Sequence, residues 1–205
     1  MDRDETLIIL TNKMLSPNKN ISIFFPVVSG MKNTAVEQRI NNMILYVVNK
    51  LIIDQGYYQS TIETMIGDFE IKNNQRGFLS LSISNYTYIH HAAHGNTIIK
   101  SLTFNLQDGN IYTLADLFKP GSNYQKVLSD IIAKQIAERK IDILEYNGIA
   151  PDQDFYIADR SLVVYFQLYQ ITPYVFGFPF FPISVYELTD IIKEGTPLAV
   201  MSENR

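Results

Sequence analysis

The stretch of residues 162–177 constrains the fold more than any other part of the chain, because it begins with a strand pattern and ends with a loop pattern. Apolar side chains alternate with others at its start, the two-residue period of a pleated strand. We expect this strand to run to Ile171, with Phe166 on its buried face. Pro173 has no backbone N–H to continue a sheet ladder, and Gly177 can adopt the positive φ of a turn.

Aromatic side chains crowd the loop that should follow this strand. Tyr174 and Phe176 lie between the proline and the glycine, and residues 178–182 add three phenylalanines and two prolines. A stiff, uncharged segment of this kind suits a binding surface, and it equally suits plain packing. We expect Phe178 and one of the other two phenylalanines to pack inward beneath the final helix. Tyr174 should lie nearer water, close to Tyr88 and His94, because its hydroxyl needs a partner.

Composition excludes several classes of function. The chain has 205 residues, of which 46% are hydrophobic, so it can bury a core as one large or two small domains. The net charge of −4 provides no basic surface for nucleic acid. Cysteine is absent, which excludes disulfides, thiolate metal ligands and a cysteine nucleophile.

The sequence predicts neither a membrane span nor an export signal. No apolar run approaches the ~20 residues that cross a bilayer. The short run of residues 6–10 follows Asp2, Asp4 and Glu5, where a signal peptide would carry positive charge. This leaves two possibilities, an intracellular protein or one from which an export segment has been removed.

The N-terminal part of the chain predicts an α+β subdomain over residues 1–115. Short strands are expected at 7–10 and 21–25, with a turn at Asn18 and Asn20 between them and Pro26 ending the second. Apolar residues repeating every three or four positions predict a helix over about 34–55. Thr34 with Glu37 would cap its start, and Gly56 would end it. An antiparallel meander should follow over 57–112, with turns at 73–77 and at Asp108–Gly109.

The C-terminal part predicts a second α+β subdomain over residues 116–205. It should contain a helix over about 123–140, a hairpin over about 154–170, the aromatic loop and a short final helix capped by Ser184 and Glu187. Because strands and helices do not alternate regularly, we expect two small, intimately packed α+β subdomains, each an antiparallel sheet covered by an amphipathic helix.

The sequence contains no recognisable catalytic motif. It lacks a nucleophile elbow, a zinc-protease motif, a phosphate-binding glycine loop and a dinucleotide fingerprint. All three histidines cluster at His90, His91 and His94. His90 and His94 could share a metal if the segment were helical, but the flanking strands and Gly95 favour a polar connection. We therefore predict no catalytic residue, no cofactor and no metal site.

Three blocks of sequence carry a resemblance to a known family. The first is residues 25–30 with the helix that follows, the second is residues 88–118, and the third is residues 154–177 with the helix at Ser184. In this order they resemble a bacterial extracytoplasmic pair of small domains of unknown function. That pair forms the lysozyme-sensing outer domain of the anti-sigma-V factor and the non-catalytic N-terminal part of some peptidoglycan deacetylases. Here His91 and Ala92 replace a glycine pair that is usual in the family.

The resemblance implies an extracytoplasmic, non-enzymatic binding or sensing domain. Its partner would be a cell-wall-active protein such as lysozyme, or a peptidoglycan fragment. Two alternatives remain, namely an enzyme acting on wall glycan through scattered carboxylates and His94, and a structural accessory module. The candidate binding residues are Tyr88, His94, Tyr169, Pro173, Tyr174 and Phe176.

Overall fold

The computed structural model describes residues 6–16, 20–58 and 61–203, apart from the side chain of Leu15. The chain divides into two compact units, Met1–Asn110 and Ile111–Arg205. The described residues of the first unit form a five-stranded sheet, and those of the second form a three-stranded sheet. Helices accompany both sheets, which confirms the α+β class.

The sheet of the first unit follows chain order, β1-β2-β3-β4-β5. Its strands are Ile8–Ser16, Asn20–Ser29, Ile62–Gln75, Phe78–Ile89 and Asn96–Asn105. The expected antiparallel meander is confirmed for β3, β4 and β5. However, β2 and β3 are parallel, so the expectation of purely antiparallel pairing is wrong. A parallel pair requires a crossover connection, and the helix between these strands provides it.

Strand β2 does not end at Pro26, contrary to the sequence prediction. Pro26 is paired with Thr11 of β1, and β2 continues to Ser29. Strand β3 pairs with β2 only from Asn20 to Ile23. At Pro26 the described pairing is therefore with β1 alone, and a strand with one neighbour tolerates a missing N–H. Strand β1 is also longer than predicted, because it pairs with β2 along its whole length. Asn18, expected in the turn, lies outside the described residues.

Helix α1 spans Thr34–Asp54 and buries the predicted stripe of apolar side chains against the sheet. Its N-cap is Asn33, whose Oδ1 accepts hydrogen bonds from Ala35 N and Val36 N. The predicted Thr34–Glu37 capping box is therefore wrong, and the Glu37 carboxylate instead accepts a hydrogen bond from the Met31 amide at 2.8 Å.

The second unit contains α2 at Tyr124–Arg139, close to its predicted bounds, and a sheet of order β6-β7-β8. The strands are Phe155–Ala158, Ser161–Tyr165 and Phe180–Ser184. The predicted hairpin between β6 and β7 is confirmed. The predicted alternation of buried and exposed side chains along β7 is wrong, because Val163 and Tyr165 are buried like Leu162 and Val164. Strand β7 is the middle strand and is covered on both faces, whereas the period-2 pattern predicted one exposed face.

The C-terminal segment contains two short helical pieces. The predicted capping box is confirmed, since Ser184 Oγ accepts from Tyr186 N and Glu187 Oε1 accepts from Ser184 N. It starts only a 3-10 turn, Val185–Leu188. A further helix, α3 at Pro197–Ser202, was not predicted from the sequence.

Candidate binding site

Strand β7 stops at Tyr165, six residues before the predicted end at Ile171. The Gln153 side chain donates from Nε2 to the Tyr165 carbonyl at 2.6 Å. Phe166 N still donates to the carbonyl of Pro179 at 3.2 Å, in register with the β7–β8 pairs, and the described pairing goes no further. The chain therefore leaves the sheet early, and the loop that follows is longer than the sequence indicated.

The aromatic loop, defined as residues 169–177, begins at a tight turn. Gln170 N donates to the Gln167 carbonyl at 3.1 Å, and Gln170 Oε1 accepts from Gln167 N at 2.9 Å. Tyr169 has a φ of 64°, a left-handed conformation that is uncommon for a residue other than glycine. The turn brings the Tyr169 ring to 5.5 Å from the Tyr174 ring, with 31° between their planes.

Residues 174–176 of the aromatic loop form a 3-10 turn rather than an open coil. Phe176 N donates to the Pro173 carbonyl, and Gly177 N donates to the Tyr174 carbonyl, each at 3.0 Å. Gly177 closes the turn with φ 76° and ψ −147°, a backbone region open essentially to glycine alone. These bonds define a 3-10 turn between Pro173 and Gly177, and the stiffness of the loop stays a prediction.

The tip of the aromatic loop is apolar and exposed to solvent. Val175 is 93% exposed, Tyr169 52% and Phe176 41%, whereas Pro173 and Tyr174 are half-buried. Leu144 is also exposed, and its amide donates to the Ile171 carbonyl at 2.8 Å, which places it beside the loop. The sequence did not single out Val175 or Leu144, because exposure is not visible in residue type.

The phenylalanines after the aromatic loop do not form a protruding surface, because residues 180–184 are strand β8. Phe181 is fully buried, as was expected for either Phe180 or Phe181. It packs edge-on against Phe166 with ring centroids 5.8 Å apart. Phe178 and Phe180 are only half-buried. The helix over this strand is α2, from which Gln135 and Arg139 donate to β8 carbonyls at 2.8 Å. The expected burial is therefore wrong for Phe178 and correct for Phe181.

Acidic residues predominate in the stretch of sequence that contains the aromatic loop. Residues 141–192 contain a single basic residue, Arg160, against seven acidic ones: Asp142, Glu145, Asp152, Asp154, Asp159, Glu187 and Asp190. Asp154 Oδ2 accepts a hydrogen bond from Gln167 Nε2 at 2.7 Å, next to the turn at Tyr169. Glu145 follows exposed Leu144. An apolar tip within an acidic region favours a partner with a basic surface.

The remaining two candidate residues, Tyr88 and His94, belong to the first unit. The Tyr88 hydroxyl donates to the Ala92 carbonyl at 3.2 Å, and His94 Nδ1 lies 2.9 Å from the Gly95 carbonyl. Both residues thus bond within the connection between β4 and β5. Their proximity to Tyr174 stays a prediction.

The histidine cluster is an exposed polar connection. His90 Nδ1 pairs with the carboxylate of Glu63, and the His90 and His91 ring centroids are 3.7 Å apart. Across residues 6–16, 20–58 and 61–203, no three His, Cys, Asp or Glu side chains are grouped so that they could hold a metal ion. The absence of a bound metal stays a prediction for experiment.

Comparisons with known proteins give the same division of the chain. Residues 16–97 match the model of the family described as deacetylase PdaC, and residues 115–186 match that of the family described as protein of unknown function DUF3298. The peptidoglycan-N-acetylmuramic acid deacetylase PdaC of Bacillus subtilis is 26% identical over 150 residues, which are 69% of this chain. The chain spans about a third of the length of that relative, 32%.

Two solved structures share the fold. A DUF3298 family member from Bacteroides fragilis has a TM-score of 0.69 at 13% identity, covering 98% of this chain and 99% of its own. A DUF3298 protein from Pseudomonas aeruginosa has a TM-score of 0.67 at 14% identity, with 99% of both chains covered. In the part of this chain that the structure describes, no helix combines the length and the apolar character needed to cross a membrane.

Proposed function

The chain carries a deacetylase PdaC-type region followed by a DUF3298 region, and from this premise we propose that it is a non-enzymatic, extracytoplasmic binding domain for a cell-wall-active protein of the lysozyme type. The observation that carries the proposal is the aromatic loop, whose exposed tip at Val175 and Phe176 is held by backbone hydrogen bonds. A preorganised apolar tip loses little conformational entropy on binding.

The charge around the loop supports a protein partner with a basic binding face. Acidic side chains predominate from residue 141 to residue 192, so a basic partner would be attracted and a nucleic acid repelled. Aromatic side chains at the centre of such a surface supply most of the binding energy. Tyr174, half-buried beside Tyr169, is the anchor that we expect to contribute most.

The non-enzymatic part of the proposal has a separate basis. None of the catalytic motifs sought in the sequence is present, and the candidate residues of the aromatic loop carry no nucleophile-base pair. Asp154, the nearest carboxylate with a defined contact, is bonded to the Gln167 amide. Incubating the protein with a labelled peptidoglycan fragment tests this directly, since turnover would contradict it.

A wall glycan is the second candidate ligand for this loop, favoured by the paired rings of Tyr169 and Tyr174. Aromatic faces pack against the C–H groups of sugars, and phenol hydroxyls can bond to their oxygens. The two candidates differ in charge dependence. A basic protein should bind more weakly as salt increases, whereas a neutral glycan should not.

Calorimetric titration of the chain with lysozyme tests the proposal. Tyr174→Ala should weaken binding by about 2 kcal/mol, roughly 30-fold in Kd, with little change in the thermal midpoint because Tyr174 lies outside the core. Tyr46→Ala is the matched control, since this tyrosine is 60% exposed on α1 in the first unit. Equal affinity for Tyr174→Ala and the parent would place the site elsewhere. If the parent does not bind lysozyme, the proposal is wrong. Chito-oligosaccharide binding that Tyr174→Ala weakens would then favour the glycan candidate, and binding of neither ligand would favour the accessory-module alternative.

A further inference from the structure

A second concave surface lies in the first unit, between the end of α1 and the β1–β2 pair. The groove has a volume of about 610 Å³, within the range of small-ligand sites. Its floor is apolar and includes Ile21, Ile23 and Ile52, all of which are buried. Tyr57 and Tyr58 form one wall, with ring centroids 5.2 Å apart and planes at 88°.

The two tyrosines are fixed where the helix ends. Gly56, at φ 85°, turns the chain after α1, and Tyr57 N donates back to the Ile52 carbonyl at 3.1 Å. Gln55 is 8% exposed, and its Nε2 donates to the Asn85 carbonyl at 2.7 Å in β4. The helix end is therefore tied to the sheet through Gln55, and Tyr58, three residues further along the chain, is 79% exposed.

The described lining of the groove carries no formal charge. It adds Met14, Ser16, Asn49 and Ile53 to the residues already named, and all of these side chains are apolar, hydroxyl or amide groups. Neighbouring charges are occupied, since Lys50 pairs with Asp54 at 2.6 Å and Lys13 lies over the Phe24 ring. This lining provides no counter-ion for a phosphate, a carboxylate or an ammonium group, so it selects for a neutral ligand.

We propose that this groove is a binding site for a neutral N-acetylated oligosaccharide, separate from the aromatic loop. The exposed face of Tyr58 would stack on the C–H face of a sugar ring. The Asn49 amide and the Ser16 hydroxyl are the donors and acceptors for ring hydroxyls or amide groups. The apolar side of the lining, where Ile53 is 53% exposed, suits the methyl of an acetamido group, a feature that unmodified glucose oligomers lack. The inference does not depend on the function proposed for the aromatic loop.

Titration of the full chain with chitotetraose, followed by calorimetry or ligand-observed NMR, tests the site. We expect saturable binding that Tyr58→Ala weakens at least 10-fold and Asn49→Ala weakens several-fold, whereas Tyr58→Phe retains most of the affinity. Tyr46→Ala is the matched control, because Tyr46 is 60% exposed on α1, the helix that carries Asn49, but lies outside the groove. Circular dichroism of each variant verifies that the fold is intact.

Three results would overturn the inference. The first is the absence of saturable chitotetraose binding to the parent. The second is equal affinity for cellotetraose, which would contradict the role assigned to the acetamido group. The third is loss of chitotetraose binding in Tyr174→Ala with no loss in Tyr58→Ala, which would move the sugar to the aromatic loop. Conversely, lysozyme binding that fails while chitotetraose still binds through Tyr58 would refute only the proposed function.

Discussion

Replacing Phe166 by alanine should destabilise the second unit by several kcal/mol, because this ring lies at the centre of its core. Phe166 is 1% exposed. It packs edge-on against Phe181, at 5.8 Å and 86°, and against Tyr146, at 6.0 Å and 79°. A buried Phe→Ala change costs about 3–5 kcal/mol in lost burial and cavity formation. The two lost ring pairs favour a value in the upper half of that range, since each such pair contributes about 0.5–1.5 kcal/mol beyond its buried area.

Urea denaturation followed by tyrosine fluorescence and far-UV circular dichroism measures this effect. In a thermal melt, a loss of about 4 kcal/mol in a unit of the size of Ile111–Arg205 should lower the midpoint by roughly 16–32 °C. Phe176→Ala is the matched control, because this ring is 41% exposed on the aromatic loop, and it should cost less than about 1 kcal/mol. A denaturation midpoint that Phe166→Ala leaves unchanged, or shifts no more than Phe176→Ala does, would refute the placement of Phe166 in the core.

The other predictions concern a turn, a helix end, a carboxylate and the histidines. Gly177→Ala should cost about 1–3 kcal/mol from backbone strain alone, since a Cβ there meets no atom within 4 Å; an unchanged urea midpoint would contradict the turn geometry. Gln55→Ala should cost about 1–3 kcal/mol by leaving a buried strand carbonyl without its donor, as measured by the same assay. Hydrogen bonds from Thr113 lower the pKa of Asp116. The ionised carboxylate should therefore stabilise the fold above the ordinary carboxyl pKa range, and this stabilisation should decrease as the pH falls. Asp116→Asn should lower the urea midpoint at pH 7 but not at pH 2. Protein purified without a histidine tag should contain no stoichiometric zinc or nickel, and metal that disappears in His94→Ala would contradict this.

Local patterns in the sequence were sufficient to predict the two long helices, α1 and α2, but not the short α3. The apolar stripe of α1 repeats at helical spacing and is buried as that spacing predicts. The bounds of α2 and the capping box at Ser184 were also correct. These features depend on residues three or four positions apart, so their information lies within one short stretch of chain. The cap of α1 was wrong by one residue because Asn33 and Thr34 are both good N-cap residues.

Strand ends and strand partners were less predictable. Pro26 was expected to end strand β2. A missing backbone N–H disrupts a strand only where a neighbouring strand would accept its hydrogen bond, and which strands lie beside β2 is decided by distant parts of the chain. The end of β7 at Tyr165 depends on the Gln153 side chain, twelve residues away. No periodicity in residues 162–171 carries that information.

For the candidate site, too, residue type predicted some features and only the structure showed the others. Pro173, Tyr174, Phe176 and Gly177 could be identified as a stiff aromatic segment from residue type alone, and the 3-10 turn agrees with that interpretation. Packing decided which of these apolar side chains face solvent. Val175 is 93% exposed, whereas Phe181 is fully buried. The groove at Tyr58 was not visible in the sequence, since its wall and floor come from three elements that only folding brings together.

The sequence by itself determined the α+β class and the two long helices, α1 and α2, because each depends on short-range spacing and backbone chemistry. The tertiary structure alone decided the parallel β2–β3 pair, the early end of β7 and the exposure of Val175 and Tyr58. These features depend on contacts between distant residues, whose free energy of association appears only when the chain is folded.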